Sequence, residues 1–204
     1  MSERIDNILK KLRKDASSNG DDFYAANLDE VIKNVRKKPK KAIYAAAFID
    51  EANEKVLYNW WKLYTKQDIL KNRPKHPHMT IKFKPSKEDV LSLPIGETDK
   101  VRLTVTGVGF DENTQAVRVR VNDTSFEVAN EIPHITISWS DDSRASNSND
   151  LLKRNIVEVS GGLELEAKLG LFLSNGKVTY DLAGTIYGND NLESDNQVSI
   201  EITE

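Results

Sequence analysis

Apolar and polar positions change period several times along the chain, and each change marks an element. Ile5, Ile8, Leu9 and Leu12 recur at helical spacing within residues 4–14, predicting an amphipathic helix. The small and polar run at 16–22 predicts a loop. Leu28, Val31, Ile32 and Val35 predict a second helix, ended at Lys38-Pro39 because the residue before a proline disfavours helical geometry. Residues 42–48 are continuously apolar and read as the first strand of the main body. Asp50 is placed to cap a helix reaching about Lys66, with Leu57, Trp60, Trp61 and Tyr64 on one face. That stripe reads as core in preference to a base-stacking platform.

Further strands are expected at 79–83, 101–105, 116–121 and 135–139. Val117, Val119 and Val121 alternate with Arg118 and Arg120, so the valines share the inner face, and Asp111-Glu112-Asn113 is the preceding turn. A polar loop is expected at 141–149 and a short helix at 151–157. Residues 163–173 and 177–182 bracket Asn175-Gly176, which predicts a two-residue hairpin turn with both positions at positive φ. From Gly188 the chain is acidic, weakly patterned and expected to be mobile. The later connections are too short for crossover helices, so the fold class is α+β with antiparallel sheets.

Composition narrows the function classes. The chain has 204 residues and no cysteine, which excludes disulfides, thiolate metal sites and a cysteine nucleophile. Its longest apolar run, residues 42–49, is far short of a bilayer span, and the first residues do not resemble a signal peptide. A cytoplasmic protein without membrane partners is expected. Net charge is −3, against the basic excess that long duplex nucleic acid demands. Residues 1–41 nevertheless hold 11 Lys/Arg against 7 Asp/Glu, and residues 142–204 hold 5 against 11. The basic cluster at 36–41 reads as a solvated link more readily than as a phosphate contact. The balance favours a small or short anionic substrate.

Chemistry concentrates in a near repeat, Pro77-His78-Met79-Thr80-Ile81 and Pro133-His134-Ile135-Thr136-Ile137. Two of the three histidines occupy the same position in it. In a strand, His78, Thr80 and Lys82 share a face opposite Met79, Ile81 and Phe83, and His134, Thr136 and Ser138 share a face opposite Ile135, Ile137 and Trp139. If the polar faces line one cleft, it holds two imidazoles and two hydroxyls, with no carboxylate at these positions. One neutral imidazole can take a proton from an attacking hydroxyl or water, and the other, protonated, can supply one to the leaving oxygen. The threonines can donate to non-bridging phosphate oxygens. His78, His134, Thr80 and Thr136 are therefore the candidate catalytic residues. Neither a metal nor another cofactor is required.

Tyr44 has two open readings, a cleft wall that stacks on a base or a core tyrosine. Lys82 and Ser138 share faces with the motif residues and are candidate substrate contacts. His76 forms a His-x-His pair with His78, but no carboxylate or third histidine completes a metal site, so it reads as a rim residue. Arg144 reads as solvated in preference to a phosphate clamp.

The paired His-x-Thr segments resemble the two-histidine phosphoesterase superfamily, which includes LigT-like RNA phosphodiesterases and the cyclic phosphodiesterase domain of fungal tRNA ligases. His78, Thr80, His134 and Thr136 match its motif position by position. The resemblance implies a bilobal α+β fold, with two antiparallel sheets and outer helices around a central cleft. It also implies metal-independent hydrolysis or transesterification of 2′,3′-cyclic, 2′-5′ or 3′-5′ phosphodiesters. The substrate would be a small nucleotide, a cyclic oligonucleotide or an RNA end. It covers residues 42–187, leaving 1–41 as an N-terminal helical extension and 188–204 as an acidic tail. A nucleotide-binding module without turnover is the alternative. The motif does not select the substrate or the oligomeric state.

Overall fold

Helical spacing near the N-terminus is realised as α1, Glu3–Ser18, in the computed structural model, which describes residues 3–18, 40–96, 100–122, 126–183 and 185–187. It runs past the expected loop boundary at 16, and Ser18 Oγ donates to the Lys14 carbonyl at 2.8 Å. Ile8 and Leu12 on it are exposed. The second helix expected at 28–35, most of the basic cluster at 36–41 and the tail from Gly188 lie outside the described residues. The chain divides into two compact units, Met1–Pro39 and Lys40–Glu204.

In the second unit β1, Lys40–Ile49, is paired with neighbours on both sides, and Ala45, Ala46 and Ala47 are wholly buried. A strand covered on both faces reads as an unbroken apolar run, which is why alternation is missing there. Asp50 caps α2, Glu51–Thr65, by accepting from Asn53 N at 2.8 Å, and Lys66 ends it in the left-handed region at φ 59°. Leu57, Tyr58 and Trp61 face the core, while Trp60 and Tyr64 stack on each other at the edge with ring centroids 4.8 Å apart. The aromatic stripe is thus split between core and rim.

The remaining elements are β2 His78–Phe83, α3 Lys87–Leu91, β3 Val101–Phe110, β4 Thr114–Val121 and β5 His134–Trp139, then α4 Ser148–Arg154 after a 3₁₀ turn at Ala145–Asn147. β6 Val157–Glu158, β7 Glu164–Leu173, β8 Val178–Thr179 and β9 Thr185–Ile186 follow. The short helix lies closer to the N-terminus than expected, because Val157 is taken up as a strand partner of Val108. All pairings are antiparallel except β1 with β9. The class is α+β as expected. The sheets do not stand apart, however. The order β3-β4-β5-β2-β1-β7 closes through a β3–β7 pairing, while β5 meets β2 at the single register pair Met79–Ile135. Met79, Ile81, Ile135 and Ile137 enter one core with Leu57 and Trp61. Among the described residues no helix is long and apolar enough to cross a membrane.

The β7–β8 turn differs from the expected form. Only Gly176 has positive φ, at 77°, and its N–H donates to the Leu173 carbonyl while Leu173 N donates to Lys177 O. This is a three-residue loop ending in a left-handed glycine, which relieves Asn175 of the positive φ that a two-residue turn would impose.

One close approach limits substitution. A Cβ on Gly162 would lie 1.7 Å from the Val105 carbonyl oxygen, where Leu163 O accepts from Val105 N. Because the obstacle is backbone, no rotamer relieves it. Gly162→Ala is expected to lower stability by about 3 kcal/mol, the upper end for overpacking, as read from urea denaturation midpoints.

Candidate active site

Each histidine is positioned by the chain immediately before it. His78 Nδ1 lies 2.6 Å from the His76 carbonyl, and His134 Nδ1 lies 2.7 Å from the Ile132 carbonyl. A carbonyl only accepts, so Nδ1 carries the hydrogen in both rings and Nε2 is the nitrogen left for chemistry. The intervening Pro77 and Pro133 hold φ near −65° and keep the residue before them extended, which turns that carbonyl back toward the ring. The proline carbonyls are tied down as well, Pro77 O by Ile49 N at 3.1 Å and Pro133 O by Val119 N at 2.8 Å.

The two motif strands are treated alike by their neighbours. His78 pairs with Phe48 and His134 with Arg118. On β2 the register jumps between Thr80 and Lys82, and on β5 between Thr136 and Ser138, so each strand bulges at the isoleucine after its threonine. Met79 and Ile135, equivalent positions of the repeat, pair antiparallel with each other. Continued by one residue, that register sets His78 across from Thr136 and Thr80 across from His134.

His78, Thr80, His134 and Thr136 line one cavity of about 740 Å³ together with Tyr44 and Lys82. Burial pushes both imidazoles below their ordinary pKa of 6.5, and the charge of His134 lowers His78 further. Thr136 Oγ1 lies 2.9 Å from the buried Ser148 Oγ and 3.3 Å from the Ala145 carbonyl, whereas Thr80 Oγ1 has no hydrogen-bond partner among the described residues. Lys82 is the one lysine or arginine among the described lining residues, and no carboxylate lines the cavity. Its Nζ stands 3.7 Å from Asp89 Oδ1, a carboxylate already engaged in the capping box of α3 with Ser86.

Tyr44 lines the cavity, but its ring faces are taken. His78 stacks on one at 4.7 Å and Phe172 stacks at 4.9 Å, nearly parallel. Phe48 adds a tilted contact to His78 at 5.4 Å. Tyr44 therefore backs an imidazole instead of receiving a base, and burial raises its hydroxyl to about 12, keeping it protonated.

Ser138 is a correction. It is wholly buried and outside the cavity, donating to Gln115 Oε1 at 2.6 Å and accepting from Leu70 N at 3.0 Å. Gln115 Nε2 in turn donates to the Asp68 carbonyl at 2.8 Å. The connector between α2 and β2 crosses over this end of β5, and Ser138 pins it there. Trp139, expected in the core, is half-buried beside the same connector. His76 serves through its carbonyl, and no group of three possible metal ligands occurs among the described residues. Arg144 is exposed and away from the cavity.

Four lining residues escaped the sequence reading: Phe83, Asn130, Ser146 and Asn149. Pro74 and Asn130 both line the cavity four residues before a motif histidine, so the repeat spacing carried a signal for Asn130. Ser146 and Asn149 come from the loop and helix after β5, whose return to the cleft no local pattern announces.

The family model described as fungal tRNA ligase phosphodiesterase domain matches residues 2–171. The match takes in residues 2–41, which the motif resemblance leaves outside. Among solved structures, a crystal structure of a fungal RNA kinase is similar at 12% identity and a TM-score of 0.46, covering 83% of this chain and 58% of that one. The present chain thus spans less than two thirds of the length of that neighbour. No curated protein matches.

Placing both rings out of water makes the free site neutral, and a bound anion must reverse this. NMR titration of the histidine Cε1–H signals is expected to give both midpoints below 6.5 in the free protein. Both should move upward on adding a dialkyl phosphate, whose own charge is constant over the range. A midpoint above 6.5 for either ring in the free protein would contradict the burial argument.

Proposed function

The chain belongs to the family of the fungal tRNA ligase phosphodiesterase domain, within the LigT-like two-histidine phosphoesterases, and on that premise we propose that it is a phosphodiesterase acting on RNA ends or small nucleotides by paired histidine acid–base catalysis. The observation that carries this reading is the matched pair of imidazoles, each anchored through Nδ1, in one cavity with two threonines and no carboxylate among the described lining residues.

The phosphodiester enters as an anion, and its charge favours the imidazolium of one ring while the other stays neutral. The neutral Nε2 removes a proton from water or a ribose hydroxyl as its oxygen bonds to phosphorus. The imidazolium gives its Nε2 proton to the leaving oxygen as that P–O bond breaks, so the pair ends with the proton exchanged between the rings. Thr80 O–H donates to one non-bridging oxygen. Ser148 can donate to Thr136 Oγ1, which frees the Thr136 proton for another. Lys82 supplies the cleft's positive charge, and Tyr44 holds His78 in place. The scheme uses no metal.

The antiparallel meeting of Met79 with Ile135 supports a local twofold relation between the motifs, which is the finer content of the bilobal description. Residues 42–187 then carry the chemistry, with 1–41 as an N-terminal extension and 188–204 as a tail. A 2′,3′-cyclic phosphate, a 2′-5′ linkage or a 3′-5′ linkage in a short or cyclic oligonucleotide would each fit the same machinery.

Incubation with 2′,3′-cyclic mononucleotides, 2′-5′ oligoadenylates and cyclic di- and trinucleotides in EDTA, with products identified by mass spectrometry, tests the reading. Turnover of at least one is expected. His78→Ala and His134→Ala should each lower kcat by about 10²–10⁴, the usual worth of general acid–base catalysis. The pH profile of kcat/KM should be bell-shaped with its optimum on the acid side of 6.5, because both free-enzyme values are depressed. Tight binding with every ligand recovered intact would favour the binding module instead.

A further inference from the structure

By simple alternation Phe83 belongs with Met79 and Ile81 on the buried face of β2. It does not go there. Its side chain is 61% exposed and lines the catalytic cavity next to Lys82. Two backbone departures bracket it. The β2 bulge at Ile81 inserts one residue between Thr80 and Lys82, breaking the parity that would carry Phe83 inward. Lys84 then adopts φ 48°, left-handed for a residue that has a Cβ, and is held there as its N–H donates to the Ile43 carbonyl at 2.8 Å. The Lys84 ammonium stands 5.5 Å from the centroid of the Phe83 ring. An aromatic kept out of the core by a bulge on one side and an unfavourable backbone conformation on the other is a feature that points to a ligand.

We infer that Phe83 is the stacking platform for the nucleobase attached to the scissile phosphate, which makes the cleft selective for nucleoside phosphodiesters over base-free ones. This deepens the phosphodiesterase reading and rests on it. The 740 Å³ of the cavity lies in the range of small-molecule sites and exceeds what a phosphate between two histidines would fill. Tyr44, the other aromatic lining it, has both ring faces covered, so a base finds its open π-surface at Phe83. Lys84 near the Phe83 ring adds a cation–π contact, and Lys82 on the adjoining position meets the phosphate.

The test compares kcat/KM for adenosine 2′,3′-cyclic phosphate with that for 1-O-methylribose 2′,3′-cyclic phosphate, which lacks the base. The ratio of the two isolates the base from the chemistry. Phe83→Leu is expected to reduce that ratio about tenfold, within the range found for base–aromatic stacking, and Phe83→Trp to preserve it. An unchanged ratio in Phe83→Leu, or an equal fall in Phe83→Leu and Phe83→Trp, overturns the assignment. Calorimetric binding of adenosine 2′-monophosphate against inorganic phosphate reads the same preference without turnover. A base preference that Phe83→Leu abolishes there, in a protein that hydrolyses neither ester, would refute the phosphodiesterase reading and uphold Phe83.

Discussion

Met79 opposite Ile135 is the contact on which the cleft depends. The pairing is short, a single register pair, yet it joins two hairpins that are each paired elsewhere along most of their length. Its strength is not in the ladder. It comes from the apolar undersides, where Met79, Ile81, Ile135 and Ile137 are sealed into one core with Leu57 and Trp61. Removing that much apolar surface from water holds the two strands side by side without many hydrogen bonds between them. What the core holds from below it presents above: His78 beside Thr136, and His134 beside Thr80. A slip of one residue in either strand would exchange the two faces and place imidazoles in the core.

The same burial creates the site's electrostatic character. Both rings lose hydration, so both favour the neutral form, and each keeps its orientation through a carbonyl that is itself part of a proline-stiffened segment. A site of this kind is poised for an anion. It is uncharged at the imidazoles when empty, contains one ammonium at its edge, and gains a reason to hold a proton when a phosphodiester arrives. The hydroxyls differ in a way that two equal motifs do not suggest. Thr136 is engaged by Ser148 and the Ala145 carbonyl, while Thr80 is free of such partners among the described residues.

How far the site was legible follows from which residues act locally. The catalytic quartet could be read because Pro-His-x-Thr-Ile carries its own instructions: proline sets the carbonyl, strand period sets the face, and the repeat marks the pair. Ser138 shares the motif's parity yet is buried, because a connector from sixty-odd residues earlier in the chain crosses over it and takes both of its hydrogen bonds. Tyr44 lines the cleft as one of its two readings allowed, but Phe172 from β7 closes the ring face a base would need. Phe83 was assigned inward because alternation assumes an unbroken pleat, and one inserted residue at Ile81 breaks it. The hairpin at Asn175-Gly176 was found, but its loop length was not, since one further residue lets glycine alone adopt positive φ.

Strand and helix positions, the α+β class, the chemistry of the imidazole pair and the absence of thiol chemistry all follow from local pattern and composition. They are determined by the sequence itself, because backbone period, capping and side-chain identity act within a few residues. Tertiary structure decided the rest. It joined the expected sheets into one closed circuit of pairings, covered Ser138, occupied both faces of Tyr44 and turned Phe83 outward. Each of these depends on which distant strand or connector arrives next to a given position, or on where a ladder admits an extra residue. Those outcomes are set by the packing of the whole core, and no short window of sequence contains them.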